Sequence, residues 1–154
     1  AQNSDVIHAR NGLKVLPDHS FKDAPTPDLL IVPGGYGAEN IEINNIQVIE
    51  WIKNISYSAK LVASVCTGAF LLAEAGLLKG KKATTHWMDI DKLAKLYPEV
   101  DVVEKCRYIL EDNIITSAGI SAGIDMAFYI LERLFDHQVS DFVRHKMEYF
   151  LKNS

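Results

Sequence analysis

The chain has little of what marks several large classes of protein. Only two of its 154 residues are cysteine, which excludes a disulfide-stapled scaffold and favours a reducing compartment. No apolar run approaches the ~18 residues that a membrane-spanning helix requires. The sequence therefore predicts a cytoplasmic protein with two free thiols and no membrane partner, although a disulfide between Cys66 and Cys106 stays open at this point.

Concentrated positive charge and metal-ligand spacing are also lacking. The formal net charge is −4, and no block of lysine and arginine offers a footprint for nucleic acid. The residues after Val32 lack the G-x-G-x-x-G spacing of a dinucleotide site. We therefore expect no nucleic-acid partner and no cofactor. We also expect no metal, because four histidines show no ligand spacing with each other or with cysteine: His8, His19, His137 and His145.

The order of apolar blocks and helical patterns predicts one α/β domain over residues 1–154. Continuous apolar runs at Leu29–Val32 and 60–65 are typical of buried parallel strands. Further strands are predicted at 12–16, 82–86 and 100–103, with a hairpin joining 108–110 to 114–116. Helices are predicted at 46–55, from Cys66 to about 78, at 88–97, at Ala122–Leu134 and at about 140–151. This alternation indicates a mainly parallel sheet with helices on both faces.

Cys66 is the most prominent candidate for chemistry. It lies between an apolar strand and a helix, among the small residues Ser64, Thr67, Gly68 and Ala69, as in a nucleophile elbow. A helix N-terminus favours a thiolate, so the pattern predicts a Cys pKa below its free value. The competing interpretation is an inert buried cysteine, which is equally common for this pattern.

Two neighbouring strands would bring other candidates to the same edge. Gly34 and Gly35 follow the first buried strand as Cys66 follows the second, and ligands of such sheets bind beyond the carboxyl ends of the strands. Gly35 lacks a Cβ, so its N–H can approach a ligand as an oxyanion donor. His86 follows the third strand, where an imidazole can serve as an acid or base or can simply pack on Trp87.

Five stretches of sequence together resemble the ThiJ/PfpI superfamily. The Cys-Thr-Gly elbow and the Ala-Thr-Thr-His-Trp block most resemble isonitrile hydratases and the sensor domains of AraC-type regulators. The resemblance covers residues 12–149 and implies a flavodoxin-like doubly wound α/β sandwich and a homodimer. The five stretches are Asp28 to Gly35, Ser64 to Ala69, Ala75 to Lys81, Ala83 to Trp87 and Thr116 to Asp125.

The resemblance implies an enzyme that acts on a small molecule, with Cys66 as nucleophile, Thr67 and Gly35 as oxyanion donors and His86 as a further catalytic candidate. Gly34, Tyr36 and Trp87 would bind the substrate. Hydration of an isonitrile to an N-substituted formamide, through a thioimidate, is the reaction it favours. The alternative is a non-catalytic ligand- or redox-sensing domain of an AraC-type transcriptional regulator.

The sequence also departs from the family pattern. Family members open with a strand and helix that carry an acidic residue beside the cysteine, and this βα unit is missing, so we expect the chain to be a piece of a longer protein. Thr67 stands where the protease-like members have histidine, which argues against a peptidase. Asp125 is expected to stabilise its helix as a first-turn carboxylate, and Cys106 is expected to be an incidental thiol.

Overall fold

The computed structural model describes residues 1–149, apart from the side chain of Arg10. Its strands are β1 (Ile7–His8), β2 (Lys14–Val15), β3 (Leu29–Val32), β4 (Leu61–Val65), β5 (Lys82–Ala83), β6 (Asp101–Val102), β7 (Tyr108–Glu111) and β8 (Ile114–Ser117). Its α-helices are α1 (Tyr36–Asn40), α2 (Ile46–Ser56), α3 (Gly68–Glu74), α4 (Ile90–Leu96), α5 (Ala122–Leu134) and α6 (His137–Lys146). Short 3-10 helices lie at Arg10–Gly12, Glu42–Asn44 and Trp87–Asp89.

The main sheet has four strands in the order β3-β4-β8-β7. β3, β4 and β8 are parallel, and β7 returns antiparallel as the second arm of the predicted hairpin. Val62 pairs with Leu30 on one side and Ile114 on the other, so β4 is an interior strand of the sheet. Its continuous apolar sequence fits this position, because an interior strand of an α/β sheet is covered on both faces.

Helices cover both faces of this sheet, as the alternation of elements predicted. Alternate side chains of a strand point to opposite faces. Val62 accordingly packs in a core with Ile52 of α2 and Phe70 of α3, whereas Ala63 packs in a second core with Met126 of α5. The mainly parallel α/β architecture is therefore confirmed. No helix within residues 1–149 is both long and apolar enough to cross a membrane.

Several predicted boundaries differ from the structure. The strand predicted at 82–86 shortens to β5, which pairs with β6 in a separate two-stranded sheet. α3 ends at Glu74 rather than near 78, because Gly76 adopts a left-handed φ of 75° soon after it. The helix predicted at 88–97 divides into the 3-10 turn Trp87–Asp89 and α4.

Both ends of the chain also differ from expectation. The extended stretch predicted at 12–16 contains β2, but its antiparallel partner β1 was not predicted. α6 begins at His137 rather than near 140, because the Asp136 carboxylate accepts a hydrogen bond from the N–H of Val139 at 2.8 Å and caps the helix. The end predicted for this helix, at 151, lies outside the described residues.

Two glycines allow the loop after β3 to lie directly against the start of α3. A Cβ on Gly34 would lie 2.6 Å from the backbone nitrogen of Thr67, and a Cβ on Gly68 would lie 2.3 Å from the carbonyl oxygen of Val32. Real Cβ atoms do not approach backbone this closely. The two strand ends can therefore meet backbone to backbone only with glycine at both positions.

We predict that Gly68→Ala destabilises the protein by roughly 1–3 kcal/mol, because the added methyl group meets rigid backbone rather than a movable side chain. Urea unfolding followed by circular dichroism measures the change in the free energy of unfolding. Gly37→Ala is the matched control, since a Cβ there meets nothing within 4 Å. Equal stability of the two variants would contradict the close packing described here.

Candidate active site

Cys66 lies at the turn between β4 and α3 with a φ of 55°, a left-handed conformation that is uncommon for a residue with a side chain. Its N–H donates to the carbonyl oxygens of Ser117 and Ala118 at 3.1 and 3.3 Å. Its own carbonyl accepts a hydrogen bond from the Thr85 hydroxyl at 2.9 Å. These bonds hold the backbone in a strained conformation, and the elbow predicted from the sequence is present.

Thr67 connects the elbow to the loop after β3. The N–H of Gly35 donates to Thr67 Oγ1 at 2.8 Å, and the Thr67 side chain is buried. Gly35 has a φ of 119°, which a residue with a Cβ rarely adopts. Gly34, Gly35, Cys66 and Thr67 thus come together, as the sequence predicted. The Gly35 amide, however, binds the threonine hydroxyl, so its direct action as an oxyanion donor stays a prediction.

The Cys66 thiol is half-buried, and this burial raises its pKa above the ordinary value. Hydrogen bonds from the amide and the hydroxyl of Thr67 lower the pKa, whereas the negative charges of Asp89 and Glu39 raise it further. The net shift is upward. The expected fall in pKa is therefore wrong for this structure, because burial and two acidic neighbours outweigh the donors at the start of a short helix.

His86 follows Thr85, whose hydroxyl binds the elbow, and forms no hydrogen bond to Cys66 in the part of the chain described. Its Nδ1 accepts a hydrogen bond from the N–H of Met88 at 3.4 Å and lies 3.5 Å from Asp89 Oδ2. The ring also packs closely on Gly119, where a Cβ would lie 2.3 Å from His86 Cδ2. The imidazole is therefore held in place from two sides, next to Thr85, which binds the Cys66 carbonyl.

Two acidic residues that influence the thiol were not predicted from the sequence. Asp89 stands three residues after His86, a spacing that brings side chains together in a helical turn and that could have identified the pair. Glu39 comes from α1 and pairs with Lys92 of α4 at 2.9 Å. No local pattern indicates Glu39, because its place near Cys66 depends on how α1 packs.

Tyr36 and Trp87, which were predicted to bind substrate, are surface residues rather than core aromatics. Their exposed fractions are 67% and 76%, and they directly follow Gly35 and His86 in the chain. The Trp87 ring lies 5.8 Å from the His86 ring, measured between centroids. Both aromatic rings are therefore accessible to a ligand and are attached to backbone that forms the site.

The remaining candidates lie apart from this chemistry. Cys66 and Cys106 are both free thiols, which closes the question of a disulfide between them. Asp125 forms an ion pair with Arg107 at 2.5 Å and accepts a hydrogen bond from Tyr149 at 2.8 Å. Among the described residues, no group of three or more His, Cys, Asp or Glu side chains is placed to hold a metal ion.

Comparison with known proteins agrees with this geometry. A model of the DJ-1/PfpI family matches residues 1–133. Isonitrile hydratase of Pseudomonas putida is 36% identical over 143 residues, which are 93% of this chain and 61% of that protein. The HTH-type transcriptional regulator CdhR of Pseudomonas aeruginosa is 30% identical over 134 residues, which are 87% of this chain and 39% of the regulator.

A solved structure shows the same fold. The crystal structure of a ThiJ/PfpI family protein from Pseudomonas syringae matches with a TM-score of 0.89 and 29% identity, covering 99% of this chain and 62% of that one. The chain thus spans about three fifths of the enzyme and of this structure. The flavodoxin-like α/β fold and the family resemblance are confirmed, and the chain belongs to the DJ-1/PfpI family.

Proposed function

We propose that this chain carries the nucleophile of a cysteine-dependent hydratase that converts an isonitrile into an N-substituted formamide. The observation that carries the proposal is the thiol of Cys66 on a strained elbow, where the amide and hydroxyl of Thr67 favour the thiolate. The similarity to a protein named isonitrile hydratase supports the choice of substrate. The proposed chemistry needs neither a metal nor a redox cofactor.

A protonated thiol suits the first step. The sulfur of Cys66 forms a bond to the isonitrile carbon, and the thiol proton moves to the same carbon, which gives a thioimidate, Cys–S–CH=N–R. The amide and hydroxyl of Thr67 stabilise negative charge on sulfur as this proton leaves. Gly35 positions that hydroxyl through its own N–H, at 2.8 Å.

Water completes the reaction. It adds to the thioimidate carbon while the nitrogen is protonated, and the tetrahedral carbon then loses the cysteine sulfur. The C–S bond breaks, one water proton returns to sulfur, and the product is R–NH–CHO. We assign the proton exchange to His86, whose ring is held by the Met88 N–H that donates to Nδ1 at 3.4 Å and by close packing on Gly119. Gly34 lets the loop approach the elbow, and the exposed rings of Tyr36 and Trp87 contact the substituent R.

A second candidate function is a non-catalytic ligand- or redox-sensing domain. The similarity to the regulator CdhR favours it. The two functions differ in turnover, because a sensor that binds an isonitrile at Cys66 releases no formamide.

A cytoplasmic homodimer completes the proposal. Two free thiols suit a reducing compartment. A groove of about 340 Å³ next to Val65 is almost wholly apolar. Ile120, Ile124 and Met147 line it with 82%, 37% and 58% of their surfaces exposed. We assign this groove to the second copy of the chain.

We predict that Cys66→Ala abolishes formamide production from benzyl isonitrile and leaves the fold intact, because the bond-forming sulfur is lost. Proton NMR of the formyl group measures turnover, and circular dichroism checks the fold. Cys106→Ala is the control and is expected to keep wild-type turnover. Retention of a third of the wild-type rate by Cys66→Ala would rule out the covalent mechanism, and absence of turnover in the wild type would favour the sensor.

We predict that iodoacetamide labels Cys66 with a pH midpoint above the ordinary thiol value of about 8.5, because burial raises its pKa. Asp89→Asn is expected to lower the midpoint by removing a negative charge. Thr67→Val is expected to raise it by removing a hydrogen bond to sulfur. Peptide mass spectrometry follows the labelling. Asp91→Asn, at an exposed aspartate, is the control and should leave the midpoint unchanged. A midpoint near neutral pH for the unmodified sequence would contradict the effect of burial.

We predict a molar mass in solution of twice the 17.2 kDa of one chain. Light scattering after size-exclusion chromatography measures it. Ile124→Glu should shift the protein to monomer, because a charge in the apolar groove must lose its water on association. Ile41→Glu, at an isoleucine exposed elsewhere, should leave the dimer unchanged; a dimer that tolerates both changes would place the interface on another surface.

A further inference from the structure

A second cleft, of about 210 Å³, lies between β7 and the helices α5 and α6. It is smaller than the pockets that hold drug-sized ligands. Its position follows from the strand register: Tyr108 pairs with Ser117, and Ser117 pairs with Val65, which precedes the nucleophile. Neighbouring strands are about 4.8 Å apart, so the cleft lies two strands from the elbow, on the face that α5 covers. Six residues line it: Arg107, Tyr108, Asp125, Tyr129, Glu132 and Arg144.

One of the two guanidinium groups in this cleft is already neutralised. Arg107 contacts Asp125 Oδ2 through both Nε and Nη2 at 2.5 Å, and its Nη1 donates to Ser121 Oγ at 3.2 Å. The other oxygen of Asp125 accepts from the Tyr149 hydroxyl at 2.8 Å. This ion pair forms one wall of the cleft, and its charges cancel.

The other guanidinium, that of Arg144, has no such partner. Within residues 1–149 it forms no ion pair closer than 4.0 Å, and its Nε is buried without a hydrogen-bond partner. The group stacks on the Phe128 ring at 4.8 Å, which fixes its plane. The buried Nε is closed to a ligand, so a carboxylate in the cleft accepts from the terminal N–H groups of the guanidinium, which form no hydrogen bond within residues 1–149.

Two phenol groups provide the remaining wall. The rings of Tyr108 and Tyr129 lie 5.2 Å apart between centroids at an angle of 34°, and this tilted pair gives the cleft an aromatic wall. Burial raises the pKa of Tyr108, so at neutral pH its hydroxyl is protonated and available as a donor. The positive charge of the Arg144 guanidinium lowers the pKa of Tyr108, so the two groups lie close enough to interact electrostatically.

The acidic groups limit the charge of the ligand. Glu132 lies at the outer edge, with its side chain 46% exposed and Oε1 3.4 Å from Nδ1 of His137. Its negative charge disfavours a dianion in the same small volume. A monovalent ligand meets one unneutralised cation, phenol donors and an aromatic wall.

We propose that this cleft is a binding site for a small monovalent organic carboxylate with a flat apolar group. The carboxylate accepts hydrogen bonds from the Arg144 guanidinium, and its apolar part lies against Tyr108 and Tyr129. The site is separate from the isonitrile chemistry assigned to Cys66, so its test does not depend on the proposed reaction.

Isothermal titration calorimetry of the full chain with benzoate tests the proposal. We expect one site per chain with a millimolar Kd, and at least tenfold weaker binding of the uncharged isostere benzamide. Arg144→Met should weaken benzoate binding at least tenfold. Arg133→Met, at an exposed arginine of α5 that does not line the cleft, should change its Kd less than twofold. Benzamide binding as tightly as benzoate, or an unchanged Kd in Arg144→Met, would overturn the assignment.

Two further measurements keep the test decisive. Inorganic phosphate that binds more tightly than benzoate would show that the site selects multivalent anions, which contradicts the proposal. If thermal unfolding shows that Arg144→Met does not fold, Tyr108→Phe replaces it. That variant should weaken benzoate binding severalfold. An unchanged Kd would show that the Tyr108 hydroxyl does not contribute to binding and would contradict the proposed orientation of the ligand.

Discussion

The site depends on a contact between two stretches of backbone. The loop after β3 lies so close to the first residues of α3 that neither Gly34 nor Gly68 has room for a Cβ. This contact brings the N–H of Gly35 within 2.8 Å of the Thr67 hydroxyl. The strained conformation of Cys66 is held separately, by β8 and by Thr85. Steric fit at two glycines therefore determines where the donors beside the thiol lie.

The electrostatics of the thiol reflect a competition between burial and hydrogen bonding. Thr67 offers an amide and a hydroxyl that favour the thiolate, while burial and two carboxylates favour the thiol. The balance raises the pKa, and a thiol that keeps its proton can deliver it to the carbon that it attacks. The same residue thus supplies the sulfur and the proton in the reaction that we propose.

The two faces of the sheet carry different features. On one face, α2 and α3 bury the larger core and position the elbow. On the other, α5 packs over a smaller core, and its outer surface adjoins an apolar groove and a cleft with an unpaired guanidinium. The two surfaces have opposite character, because the groove is almost wholly apolar whereas charged side chains form much of the cleft lining.

The sequence by itself determined the elements whose signals are local. The apolar run of β4, the helix Ala122–Leu134 and the elbow at Cys66 were all predicted, because periodicity, small residues and glycine spacing are written in neighbouring positions. The pairing of β3 with β4, which brings Gly35 to Thr67, followed from the rule for parallel sheets.

Tertiary structure alone decided the environment of the thiol. Glu39 and Asp89 influence Cys66 through the packing of α1 and the turn before α4, and burial depends on every element around the sulfur. A pKa is set by the sum of these surroundings, so the helix end that the sequence displays could not reveal its direction.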